Sequence, residues 1–225
     1  MCYTYYNTYV LKGIIMYDFY IFDLDGTLLN TLDDLTSAVN ATLTHFGFKT
    51  RTKSEVCSFI GNGVKQLLIR AFDNDIENYD EVLTYYYGYY AKHSTDQTKP
   101  YDGVVELLRR LKNQGKKLAI VSNKGDLPTK SLAKQFFDGL IDVALGENES
   151  AGIRKKPAPD SVELALKQVG IPKEKSVFIG DSDVDIQTAK NAGLPCISVT
   201  WGFRDEEFLR ARGGTCFART PNDIQ

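Results

Sequence analysis

Asp23 and Asp25 stand two residues apart, directly after the aromatic-aliphatic run Tyr20-Ile21-Phe22 and directly before Gly26-Thr27. Carboxylates at i and i+2 beyond a buried strand can both turn toward one crevice if the chain bends there, and Gly26 permits such a bend at no steric cost. A pair of this kind can supply a nucleophile and a general acid or base, provided that a cation and positioned donors activate the weak carboxylate. Three further clusters carry polar chemistry. In Val121-Ser122-Asn123-Lys124, the Ser122 hydroxyl and nearby backbone N–H groups can bind anionic oxygens, or Ser122-Asn123 can simply cap a helix. Lys155-Lys156-Pro157-Ala158-Pro159-Asp160 puts a lysine pair in a loop ahead of a helix. Gly180-Asp181-Ser182-Asp183-Val184-Asp185 gathers three acids in one turn, and an oxygen-ligated hard cation is a good reason for them. Singly, each cluster also reads as a solvated turn, a cap or a surface charge. All four fall just after a strand or in a loop, on the edge of an α/β sheet where ligands bind.

The elements that must position them alternate. Tyr20-Ile21-Phe22, Leu118-Ala119-Ile120-Val121, Val177-Phe178-Ile179 and Cys196-Ile197-Ser198-Val199 are short apolar strands. Helical stripes lie between them: Val104, Leu107, Leu108 and Leu111; then Val162, Leu164, Ala165 and Leu166; then Ile186 and Ala189. Gly115, Gly170 and Gly193 fall where those helices should stop. Continuous apolar strands alternating with helices predict a Rossmann-like parallel α/β sheet flanked by helices on both faces.

From Thr31 to Lys99 the rhythm breaks. Leu32, Leu35, Val39, Leu43 and Phe46 recur at helical spacing and Gly47 closes the run, with Thr31 and Asp34 as a capping pair. Val64, Leu67, Leu68, Ala71 and Phe72 form a second stripe, and Val82, Leu83, Tyr86 and Tyr90 a third. The segment reads as an all-helical cap inserted after the first strand, with Pro100 and Gly103 marking the return. The expected division is an extension over 1–15, an α/β core over 16–30 and 100–225, and a helical cap over 31–99. In the run Tyr85-Tyr86-Tyr87-Gly88-Tyr89-Tyr90, tyrosines on one helix facing the interior on one side and water on the other explain the pattern better than a base-stacking surface.

Composition narrows the function classes. The 225 residues carry 27 Lys plus Arg against 29 Asp plus Glu, a formal net charge of -2 with the signs interspersed. That balance provides no basic field for nucleic acid and no charged block for a membrane surface. Cys2, Cys57, Cys196 and Cys216 are scattered without CxxC spacing, and only His45 and His93 could join them, so a structural zinc site is not expected. Free thiols and a cytoplasmic location are the expectation. MCYTYYNTYVLKGII lacks the charged start, apolar core and small-residue cleavage site of a signal peptide, and Met16 precedes the first strand directly.

Asp23-Leu24-Asp25-Gly26-Thr27 resembles the nucleophile motif of the haloacid dehalogenase superfamily, in the Asp-x-Asp-Gly-Thr form of its phosphatase branch. The resemblance implies that Asp23 attacks phosphorus to form an aspartyl phosphate and that Asp25 protonates the leaving alkoxide and then activates water. Ser122, with Asn123 beside it, resembles the second motif, which holds the transferring phosphate; Thr27 is included with these phosphate-side residues. Lys156, the lysine correctly spaced to the two prolines, resembles the third. The Gly-Asp-x-x-x-Asp run resembles the metal motif, which implies Mg²⁺ held by Asp181, the Asp23 carboxylate and the Asp25 carbonyl, with Asp185 behind them. Asp183 is given no role. Asp25 together with Asp181 argues against a metal-free dehalogenase, and Gly180 against the sugar phosphomutases.

Within the superfamily, Gly61-Asn62-Gly63 resembles the substrate-facing turn of phosphoglycolate phosphatases, and Thr200-Trp201-Gly202-Phe203 and Thr220-Pro221-Asn222-Asp223-Ile224 are similar to that subgroup. A small phosphate ester is therefore the expected partner of a monomer or homodimer, with Lys65 a candidate for a substrate carboxylate and Arg70 a weaker one. The alternatives are the same chemistry on pyrophosphate, a nucleoside monophosphate or a sugar phosphate, and, in a different class, a non-catalytic phosphate-ligand-binding protein.

Overall fold

The computed structural model describes residues 17–225, so the expected extension over 1–15 lies outside the described residues. The chain runs β1 (Phe19–Phe22), β2 (Leu29–Asn30), α1 (Leu32–His45), α2 (Lys53–Phe59), α3 (Gly63–Ala71), α4 (Tyr79–His93), β3 (Lys99–Pro100), α5 (Val104–Asn113), β4 (Lys117–Gly125) and α6 (Asp126–Phe137). It continues through β5 (Val143–Glu147), α7 (Asp160–Val169), β6 (Ser176–Gly180), α8 (Asp183–Ala192), β7 (Cys196–Val199), α9 (Glu206–Ala211) and β8 (Phe217–Ala218). Six strands form one parallel sheet in the order β5-β4-β1-β6-β7-β8. The expected parallel α/β fold is what forms.

β1 is buried on both faces because its side chains alternate between two apolar layers. Tyr20 and Phe22 pack with Leu107, Leu108 and Leu111 of α5 and with Leu132 and Phe137 of α6. Phe19 and Ile21 pack with Val162 and Ala165 of α7 and Ala189 of α8. Phe22 pairs with Ile120 on one side and Ile179 on the other, so Asp23 follows β1 beside Val121 of β4 and Gly180 of β6. Asp23, Ser122 and Asp181 therefore lie along the same edge of the sheet. Gly170 and Gly193 end α7 and α8 in the left-handed conformation, as expected.

The four helices α1 to α4 enclose a separate apolar cluster built on Leu35, Val39, Leu43, Leu68, Phe72 and Tyr86. They join the sheet unit where β2 and β3 pair antiparallel. Asp34, fully buried, accepts hydrogen bonds from the N–H groups of Gln97 (3.0 and 3.1 Å) and Thr98 (2.8 Å), tying the start of α1 to the returning chain. Thr31 and Asp34 thus do not form the expected capping pair. Thr31 precedes α1 without a side-chain cap bond; its hydroxyl donates instead to the Asp25 carboxylate, a stronger acceptor. Two edge-side strands, β5 and β8, escaped the sequence reading. β5 is only partly buried and ends in Gly-Glu, and β8 has two residues. Cys57 and Cys196 are free thiols, as expected. No helix among the described residues is long and apolar enough to cross a membrane.

Candidate active site

Three buried carboxylates converge beyond β1 and β6. Asp23, Asp181 and Asp185 each present an oxygen, and these oxygens lie within 4.8 Å of one another. The Asp23 N–H donates to the Ile179 carbonyl at 2.9 Å, which fixes the chain as it leaves the sheet. Gly26 turns with φ +87, and a Cβ there would stand 2.3 Å from Asp181 Oδ2, so the turn and the neighbouring acid both require glycine. Asp181 accepts from the Thr27 hydroxyl at 3.0 Å and from the Phe203 N–H at 2.8 Å. Asp185 forms a reciprocal capping box with Ser182 at the start of α8, accepting from the Ser182 N–H (3.1 Å) and hydroxyl (2.6 Å).

Lys156 is the cation inside this cluster. Its Nζ lies 2.7 Å from Asp185 Oδ1 and 2.9 Å from Asp23 Oδ1. Lys156 thus bridges the two carboxylates as their shared counter-ion. Burial pushes the Asp23 carboxyl up to about 6, the pull of Lys156 being offset by the charges of Asp185 and Asp25. Burial, together with the charges of Asp185 and Asp23, pushes Asp181 up to about 8. Burial alone would lower Lys156, but the two carboxylates outweigh it and hold its pKa above the usual lysine value. One ammonium against three carboxylates leaves negative charge in excess. An all-oxygen donor set and surplus negative charge fit a hard divalent cation.

Asp25 has a separate set of partners. Its carboxylate accepts from Lys124 Nζ at 3.0 and 3.1 Å and from Thr31 Oγ1 at 2.7 Å. Lys124 is itself buried, beneath the Tyr90 ring of α4 at 4.8 Å from its centroid. Asp23 and Asp25 thus have different counter-ions, Lys156 and Lys124.

The cleft above them is lined from the sheet side by Asp23, Asp25, Ser122, Asn123, Lys124 and Asp181, and from the helical side by Leu35, Ile60, Gly61, Gly63, Val64 and Leu67. Ser122 faces it with Asn123, whose amide is fully used: Nδ2 donates to the carbonyls of Lys156 (2.9 Å) and Gly61 (3.0 Å), and Oδ1 accepts from the Lys156 N–H (2.7 Å). Thr27 sits beneath Asp181 rather than along the cleft. Asn62 lies at the turn with its Oδ1 taken by Arg70 at 2.8 Å. Lys65, the expected carboxylate candidate, is exposed and lies over the Tyr79 ring at 5.3 Å, outside the cleft lining. In the tyrosine run, Tyr86 and Tyr90 are buried and stacked, Tyr85 stacks on His45 and Tyr90 also covers Lys124, so these rings serve packing.

Sequence reasoning missed Lys124, Thr31, Phe203 and Arg204 as site residues. A lysine continuing a buried strand was a legible signal for Lys124. The Phe203 contribution is a backbone N–H, which no residue type announces.

An acidic, cation-ready cleft at the carboxyl edge of a parallel sheet, with a helical insert above it, defines a class of α/β hydrolase. The family model for haloacid dehalogenase-like hydrolases matches residues 20–199, and the chain belongs to that family. It is 36% identical over 185 residues to the phosphoglycolate phosphatase of Aquifex aeolicus (strain VF5), covering 81% of this chain and 84% of that protein. It is 34% identical over 197 residues to the phosphoglycolate phosphatase of Neisseria meningitidis serogroup A, covering 84% and 82%. A crystal structure from Lactobacillus delbrueckii subsp. bulgaricus, of a protein assigned as a phosphoglycolate phosphatase by inference, superposes with a TM-score of 0.86 at 37% identity, covering 93% of this chain and 97% of that one.

Proposed function

We propose that this chain is a Mg²⁺-dependent phosphatase that hydrolyses phosphoglycolate, or a closely similar small phosphate ester, through a phospho-aspartate on Asp23. The observation that carries the reading is the buried cluster of Asp23, Asp181 and Asp185, whose charge one lysine only partly offsets. Asp23 attacks phosphorus, the P–O bond to the alcohol breaks, and Asp25 gives the leaving alkoxide its proton. Asp25 then takes a proton from water as that water attacks phosphorus, releasing inorganic phosphate and restoring Asp23. Ser122 and neighbouring N–H groups bind the phosphoryl oxygens, while Asn123 and Thr27 fix Lys156 and Asp181. Lys156 offsets charge gathering on Asp23 and the phosphoryl group. Asp23, Asp181 and the Asp25 carbonyl would hold Mg²⁺ with Asp185 behind them, and the ion would neutralise phosphoryl charge.

In this reading residues 31–99 act as a cap whose Gly61-Asn62-Gly63 turn meets the substrate, and the protein works in the cytoplasm as a monomer or homodimer. The test is phosphate release from a panel of esters, including phosphoglycolate, pyrophosphate, a nucleoside monophosphate and sugar phosphates, with Mg²⁺ and with chelator. Metal-dependent release that peaks on phosphoglycolate is the expected result. A peak on another ester would overturn the substrate and keep the chemistry. Phosphate binding with no release from any ester would favour the non-catalytic binding protein.

A further inference from the structure

Five successive backbone carbonyls, from Cys57 to Gly61, run along the underside of the cap where α2 gives way to the link before α3. Helix C-termini leave such carbonyls without intrahelical partners, and α2 passes into extended backbone at Ile60 (φ -71, ψ 152). Every one of the five is taken by a side chain. Arg70, which belongs to the cap, donates to Phe59 at 2.7 Å. The other four are taken from the core: Arg204 donates to Cys57 (3.0 Å), Ser58 (3.5 Å) and Ile60 (3.1 Å), and Asn123 donates to Gly61 (3.0 Å). A guanidinium is the appropriate group here, being a rigid fork of donors with a charge that suits the negative end of a helix. The Phe208 ring, 5.6 Å from the Arg204 guanidinium carbon, backs it from α9.

Arg204 also sits one residue from the cation-ready cluster, because the preceding N–H, that of Phe203, donates to Asp181 at 2.8 Å. One loop after β7 therefore grips Asp181 with its backbone and the cap with its side chain.

We propose that Arg204 is a positioning residue that latches the cap in its closed place and so sets the Gly61-Asn62-Gly63 turn over Asp23. The inference rests on the phosphatase reading and extends it. When the cap lifts, the bonds from Arg70 travel with it and the bonds from Arg204 and Asn123 break. Arg204 therefore favours the closed state before substrate arrives. Loss of the latch lowers the fraction of closed protein, and apparent substrate affinity falls by that fraction. Once the cap is closed, the groups doing the chemistry are unchanged.

The test compares wild type, Arg204→Met and Arg204→Lys, each as the full chain with saturating Mg²⁺, by amide hydrogen exchange and by steady-state kinetics on the best ester of the panel. Arg204→Met is expected to raise exchange across residues 57–65 by about tenfold or more while β1 and β6 keep their protection. KM should rise at least fivefold with kcat changed less than twofold. Arg204→Lys, which keeps a charge over the carbonyls, should recover part of both changes. Unaltered exchange across 57–65 would overturn the proposal. Exchange that rises in β1 and β6 as well would assign Arg204 to core stability instead, and a fall in kcat at constant KM would assign it to the chemistry. If wild type turns over no ester, the phosphatase reading fails, and the exchange comparison still decides whether the latch exists.

Discussion

On the sheet side of the cleft, buried carboxylates and ammonium groups hold one another: Lys156 between Asp23 and Asp185, Lys124 on Asp25. On the helical side, the facing surface is glycine, aliphatic side chain and backbone carbonyl, and the carbonyls of Cys57, Ser58, Ile60 and Gly61 accept hydrogen bonds from Arg204 and Asn123 of the core. The first arrangement tolerates little displacement, because a buried charge that loses its partner costs several kcal/mol. The second can form and break, because each carbonyl is satisfied by water when the cap lifts. On the proposed function, the difference gives the chemistry to the sheet edge and the choice of substrate to the helices.

Substitutions can break that division, and the largest effect belongs to the buried charges. Lys156→Met leaves Asp23 and Asp185 without their shared cation. Loss of one partner from such a buried cluster should destabilise the metal-free protein by about 3–5 kcal/mol, read from urea melts. Phosphate release should fall with it. Stability matching wild type would mean that Lys156 does not hold the cluster together.

The next effect is a pH dependence. Asp23 and Asp181 are raised to about 6 and about 8 from ordinary carboxylate values near 4. Such groups bind protons more tightly folded than unfolded, so their contribution to metal-free stability is full below about pH 4 and is lost as pH rises toward about 8. Mg²⁺ competes with those protons. The rise in melting temperature on adding Mg²⁺ should therefore grow from pH 5 to pH 8, and an equal rise at both would contradict the assignment of this cluster to the cation.

Effects on the helical side should be smaller. Arg70→Leu removes the donors to Phe59 and Asn62, leaving the turn less fixed. A lost hydrogen bond of about 1–2 kcal/mol predicts a fall of roughly tenfold in kcat/KM on the preferred ester, with the Mg²⁺ response unchanged. Lys65→Ala should alter stability by less than about 0.5 kcal/mol and leave KM as it was, since Lys65 is exposed away from the cleft. A raised KM in Lys65→Ala would return that lysine to the substrate.

The same division explains what was legible in the sequence. β1, β4, β6 and β7 are continuous apolar runs, and the acids and lysine at their ends are spaced by the sheet edge, so the chemistry could be read from residue type and order. The stripes of α1, α3 and α4 were equally plain, whereas the short α2, with Val56 its one buried residue, showed none. Contacts between the two units were not. Thr31 looks like an ordinary cap until Asp25 is placed beside it, and Arg204 looks like a surface charge until the chain of β7 turns beneath α2. Pairings separated by more than a hundred residues, such as Arg204 with Cys57, leave no local periodicity to find.

The central claim is that Asp23 is the residue phosphorylated. Its most direct test is phosphate release by wild type and Asp23→Asn in parallel, on the preferred ester with saturating Mg²⁺ and with folding checked by circular dichroism. The account predicts that the variant folds as wild type does and releases no phosphate above background. Metal-dependent release retained by a folded Asp23→Asn protein would contradict it.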